Sequence, residues 1–211
     1  MEKEIALFKE ALLAVDKAQC TSVLQELGKS AHNLLPIAEI ISESLQEIGD
    51  EWEAGDVSLA QVYMSGVICE ELFEKYVPES RTDLSGKQKV AMVVLADRHA
   101  LGKRIVEATL RAHGYEIIDF GCGLDVEEVV ALVKQHDIKL LLVSTLMLHA
   151  ALKVEALKEK LVASGCETRI IVGGAPFRFD PDLWKRVKAD GFCFNAMEAV
   201  EFLKREEDSN G

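Results

Sequence analysis

Residues 90–102 read VAMVVLADRHALG, an apolar β-branched run that ends abruptly in Asp97-Arg98-His99. Six or seven such residues without polar alternation describe a strand buried on both faces, and the helical pattern that follows describes a crossover. The motif recurs down the chain. Strands are predicted at 90–96, 116–120, 140–144, 169–172 and 191–193, with helices at about 102–113, 125–136, 150–164, 180–189 and 196–205. Short apolar strands alternating with amphipathic helices imply a five-stranded parallel sheet covered on both faces, a doubly wound, flavodoxin-like (Rossmann-like) α/β domain.

Upstream of about residue 78 the hydrophobic period is close to 3.6, which predicts four helices at about 2–14, 17–29, 35–53 and 58–76. Asp16 is placed to cap the second and Ser58 the fourth, and Pro36 falls in the first turn of the third. Pro78, Ser80, Asp83, Ser85 and Gly86 make a polar linker in which Gly86 is a candidate hinge. The expected organisation is therefore a helical domain over 1–80 and an α/β domain over 88–211.

Composition narrows the function. Acidic residues outnumber basic ones 36 to 24, for a formal charge of −12, which disfavours nucleic acid and anionic membranes. No apolar run approaches the roughly 20 residues of a membrane span, and the charged, helix-patterned start is unlike an export signal, so a cytoplasmic protein is expected. The cysteines Cys20, Cys69, Cys122, Cys166 and Cys193 are too scattered for a disulfide framework or a zinc site. Most of them read as small buried hydrophobes.

In an open parallel sheet, ligands bind beyond the carboxyl ends of the strands. Four loops there hold the candidates: Asp97 to Gly102, Gly121-Cys122-Gly123, Ser144-Thr145-Leu146 and Gly173-Gly174. Asp97 and His99 are spaced to face one another, an arrangement in which an acid fixes a histidine tautomer and improves the other ring nitrogen as a ligand. The same pair also suits an ordinary hydrogen-bonded histidine. One histidine does not complete a zinc site, but it suffices where a macrocycle brings the equatorial ligands. Gly121-Cys122-Gly123 does not extend to a dinucleotide motif, because Val126 stands where the third glycine belongs. Cys122 reads as a turn residue.

Asp97-x-His99-x-x-Gly102, Ser144-x-Leu146 and Gly173-Gly174 together resemble the signature of cobalamin-binding domains, each part after the expected strand. The helical segment resembles the cap of methionine synthase and of the small corrinoid proteins of methanol, methylamine and phenyl methyl ether methyltransferase systems. The resemblance implies that His99 is the lower cobalt ligand, tuned by Asp97 in the Asp97-Arg98-His99 loop. It places the nucleotide tail of the corrinoid in a slot lined by Ser144, Leu146, Gly173 and Gly174, with Gly102 leaving room. It also aligns Trp52, Leu59, Val62 and Tyr63 with the side chains that shield the upper cobalt face, although a stripe such as Leu59, Val62 and Tyr63 alone ordinarily reads as core, Val62 above all. Methionine synthase has a serine six residues after the signature serine; here Ala150 stands there, after His149, which reads as a solvent-facing helix-start residue.

The implied function is a methyl carrier: Co(I) accepts a methyl group from a donor methyltransferase, and methyl-Co(III) yields it to an acceptor methyltransferase. A reductive activase for accidental Co(II) is implied as a third partner. The chain has no room for a barrel that would supply methyl-donor chemistry of its own, so it is not expected to be an enzyme by itself. The alternatives are a cobalamin-dependent mutase subunit, which shares the His99 signature, and a cobalamin-sensing regulator.

Overall fold

A computed structural model describes residues 1–30, 35–76 and 90–210. The chain divides into two compact units, Met1–Ser80 and Arg81–Gly211. The polar residues read as a linker and hinge, Pro78, Ser80, Asp83, Ser85 and Gly86, lie outside the described residues.

The first unit contains α1 (Glu2–Leu13), α2 (Lys17–Ser30), α3 (Leu35–Ala54) and α4 (Leu59–Tyr76). Each helix contributes one apolar stripe, and Phe8, Leu12, Leu24, Ile40, Ile41, Leu72 and Phe73 meet in its core. The starts are set by side chains. Asp16 Oδ1 accepts from Gln19 N–H at 2.9 Å, and Ser58 and Gln61 cap one another reciprocally at the entry to α4. Lys9 on α1 bridges Glu47 and Glu51 of α3. These caps and spans follow the sequence reading closely.

The second unit is a parallel sheet of β1 (Val90–Leu95), β2 (Ile117–Leu124), β3 (Leu140–Ser144), β4 (Arg169–Gly173) and β5 (Gly191–Phe192), in the order β2-β1-β3-β4-β5. That is the flavodoxin-like order, with the switch point between β1 and β3. The crossovers are α5 (Leu101–Ala112), α6 (Val126–His136), α7 (Leu148–Ala163), then α8 (Ala175–Phe179) and α9 (Leu183–Arg186), with α10 (Ala196–Asn210) closing the chain. Successive strand residues face opposite sides. Ala91, Val93, Leu95, Leu141 and Val143 join the α6, α7, α8 and α9 side chains in one core. Val90, Met92, Leu140 and Leu142 join those of α5 and α10 in the other.

Three segments depart from the sequence reading, one of them α10, which runs on to Asn210 past its expected end at 205. Of the helix expected at 180–189 only α9, Leu183–Arg186, forms, and a further short helix, α8, precedes it at Ala175–Phe179, with Pro181 in the connection between the two. The second strand runs on to Leu124 instead of stopping at 120, so Gly121, Cys122 and Gly123 belong to the strand and not to a loop. Met92 pairs with Asp119, Val94 with Cys122 and Leu95 with Leu124, so β2 takes in one extra residue at each of two steps. Glycine makes this possible: Gly121 and Gly123 have φ of 89° and 79°.

Leu141 lies fully buried at the centre of the sheet. Leu141→Ala is expected to lower stability by about 2–5 kcal/mol, measured as a fall in the urea midpoint with unchanged slope.

Candidate functional site

The carboxyl ends of β1, β3 and β4 carry the three parts of the sequence motif, and the Asp97 carboxylate joins two of them. Its side chain is 4% exposed. Oδ1 accepts the His99 backbone N–H at 2.9 Å, and Oδ2 accepts Leu146 N–H at 3.0 Å and Met147 N–H at 3.4 Å. A buried carboxylate demands such donors, and here they are backbone amides of its own loop and of the β3–α7 loop. Asp97 is therefore first a staple between loops. The histidine-orienting role stands beside it: His99 Nδ1 lies 3.4 Å from the same Oδ1. With Nδ1 turned to the acid, Nε2 is the nitrogen left for a ligand, on a side chain 56% exposed.

The β4 loop is fitted to β3 by backbone contact. Thr145 N–H donates to Gly173 O at 3.1 Å. A Cβ on Gly174, whose φ is 113°, would sit 1.8 Å from Thr145 O, and a Cβ on Gly173 would sit 3.2 Å from Cys193 O. Gly174 is thus required by the neighbouring strand end and Gly173 is closely packed against another, a role beyond the close ligand approach read from the sequence. Gly102, in the first turn of α5, opens toward Ser144, whose Oγ lies 3.7 Å from where its Cβ would be. Arg98 is exposed and packs over Gly123, with Cγ 3.5 Å from the position of that residue's absent Cβ.

Around this frame the lining is apolar. Leu146, Met147 and Leu148 are exposed in succession after β3. Sequence reasoning singled out Leu146 but missed Met147 and Leu148; three consecutive apolar residues leaving a parallel strand were the available signal. His149 is exposed and Ala150 fully buried, so the position of the serine relay in methionine synthase is a core position on α7.

In the helical unit, Leu59 and Tyr63 are 67% and 69% exposed. Trp52 is also exposed, whereas Val62 is half-buried. Core packing does not account for Leu59 and Tyr63.

The residues fit a corrinoid. Among the described residues no group of three His, Cys, Asp or Glu side chains is arranged to hold a bare metal ion. A single imidazole supported by a buried acid, with the exposed apolar side chains of Leu146, Met147 and Leu148 on the loop that the acid holds, is a donor set suited to a metal that arrives inside its own macrocycle. One B12 binding domain model matches residues 88–203, and a second model of the same description matches residues 5–75. This chain belongs to the B12-binding domain family. Its relatives include monomethylamine corrinoid protein 1 of Methanosarcina mazei, 30% identical over 202 residues that cover 90% of this chain and 91% of the other. Trimethylamine corrinoid protein 1 of Methanosarcina acetivorans is 25% identical over 211 residues, 96% of each chain. The solved structure of the Methanosarcina barkeri monomethylamine corrinoid protein is similar with a TM-score of 0.73 at 25% identity, covering 93% of this chain and 94% of that one. The B12-binding unit is thus an α/β domain preceded by helices, and cobalamin is its cofactor.

Of the cysteines, Cys122 is exposed, and Cys20 and Cys69 are buried in the helical unit. Burial pushes the Cys20 thiol up to about 11 and the Cys193 thiol up to about 12, and raises that of Cys69 as well. A raised pKa leaves less thiolate at a given pH, so at pH 8 alkylation is expected fastest at Cys122 and slowest at Cys20, Cys69 and Cys193, read by peptide mass mapping. Gly174→Ala is expected to cost at least about 2 kcal/mol in urea unfolding, because backbone has to move away from Thr145.

Proposed function

We propose that this protein is a corrinoid methyl carrier in which His99 is the lower axial ligand. The supporting observation is an exposed imidazole whose Nδ1 faces a buried acid, with that acid anchored on the loop beside the slot. When bound, the corrinoid supplies a cobalt centre that takes up a methyl group and gives it away. The protein's own residues set the conditions. Asp97 holds the Nδ1 side of His99 and thereby presents Nε2. In this reading Ser144, Leu146, Gly173 and Gly174 line the slot for the nucleotide tail, Gly102 leaves the space beside Ser144 open, and Arg98, exposed in the same loop as His99, is a further contact for the corrinoid.

The helical unit carries an exposed apolar face of its own. Leu59 and Tyr63 turn large apolar surface outward, as does Trp52, and Val62 backs them. Such a face excludes water from a reactive centre and limits side reactions. The protein itself carries no methyl-donor machinery in this reading. Its partners are a donor methyltransferase, an acceptor methyltransferase and a reductive activase, met in the cytoplasm. The net charge of −12 favours these protein partners over nucleic acid or an anionic membrane.

The test is the visible spectrum of the anaerobically purified protein reconstituted with hydroxocobalamin, beside His99→Ala. Stoichiometric corrinoid retained through desalting, with axial-ligand bands that change in the variant, is expected. Identical bands in the two proteins would remove His99 as the ligand. Methylcobalamin-loaded protein is expected to lose its methyl group to an acceptor methyltransferase, and a requirement for the adenosyl form would instead indicate a mutase subunit.

A further inference from the structure

Lys103 is a buried cation that the site as described does not use. It lies in the first turn of α5, four residues after His99, and its side chain is 4% exposed. Its Nζ pairs with Asp119 Oδ1 on β2. That same oxygen accepts the Gly121 N–H at 2.7 Å, so the pair sits at the point where β2 slips its register against β1. Burying a lysine forfeits solvation and rotamer freedom, and packing α5 on the sheet needs only an apolar side chain of similar volume. A retained charge here calls for a positional reason.

The slipped stretch of β2 lies against the first half of the His99 loop. Leu124 O accepts the N–H of Ala96, a non-glycine residue held at φ 54°. The position of a Cβ on Gly123 is 3.6 Å from Asp97 O and 3.5 Å from Arg98 Cγ. The loop is thus gripped before His99 by the β2 bulge and after His99 by the first turn of α5, and the Lys103–Asp119 pair connects the two grips. We propose that Lys103 and Asp119 are a positioning pair that fixes the loop presenting His99 to the cobalt. The inference rests on the reading of His99 as the axial ligand.

Two readouts test it on the full chain. Hydrogen exchange of the apoprotein follows the amides of residues 96–102 in wild type, Lys103→Met, Lys103→Arg and Asp119→Asn. Visible spectra of the same proteins, reconstituted with hydroxocobalamin, give the fraction of corrinoid with the histidine ligand in place, with His99→Ala as the reference for its loss. In Lys103→Met, exchange in the loop is expected to quicken by about tenfold, and His99 coordination to weaken by roughly tenfold, the lower end for partners of metal ligands. Lys103→Arg restores both in part, because it keeps the charge against Asp119. Should Lys103→Met fail to fold by circular dichroism, Asp119→Asn carries the same comparison. Wild-type exchange in the loop overturns the proposal. So does faster exchange with an unchanged ligand fraction, which leaves the pair a merely structural clamp. If His99→Ala has wild-type bands, the ligand reading has failed and the pair's role toward cobalt falls with it, whatever the exchange rates show.

Discussion

The Asp97 carboxylate organises the α/β unit's ligand-facing end. It is an ionisable group held almost wholly out of water, and it is accommodated there because backbone N–H groups converge on both its oxygens. Two of those donors belong to the β3–α7 loop, so the acid cannot be satisfied unless that loop closes on the β1 loop. The β3 loop is in turn seated on β4 by the contact between Thr145 and Gly174, which only a residue without a side chain permits. His99 inherits its position from this sequence of contacts. The imidazole is exposed, yet the atoms that define where it stands are buried.

Beneath the loops the sheet supplies rigidity. The inner strands are apolar on both faces and sandwiched between helices, so their ends are fixed with respect to one another. β2 is the exception. As an edge strand with two glycines at positive φ, it has latitude to slip twice against β1 and bring its last residues beside the His99 loop. Irregular pairing at an edge thus adds β2 to the strand ends that shape the His99 loop.

Much of this was legible in the sequence. Continuous runs such as Val90–Leu95 admit little besides a buried parallel strand, and Asp16 and Ser58 announce their helices through local chemistry that needs no tertiary context. Asp97, Ser144 and Gly173 lie at or just past the carboxyl ends of β1, β3 and β4, positions readable from the apolar runs that precede them. What escaped depends on partners distant in sequence. The extension of β2 through Gly121-Cys122-Gly123 is driven by pairing with β1, and a G-x-G run looks like a loop until that partner is known. The shortness of α9 has no local trace, because the periodicity of 180–189 continues past its end at Arg186. Asp97 was understood through its neighbour His99, whereas its bonds to Leu146 and Met147 span 49 and 50 residues and leave no local trace.

The contacts that build the frame are nearly all to backbone: amides on Asp97, the Thr145 peptide against Gly174, Leu124 O on Ala96. The surfaces that face outward, Leu146, Met147 and Leu148 on one unit and Leu59 and Tyr63 on the other, are side chains that this framework does not use. The framework and the outward-facing apolar surface are therefore built from different parts of the polypeptide. The exposed side chains can thus be exchanged without disturbing the buried contacts that fix where the His99 loop stands.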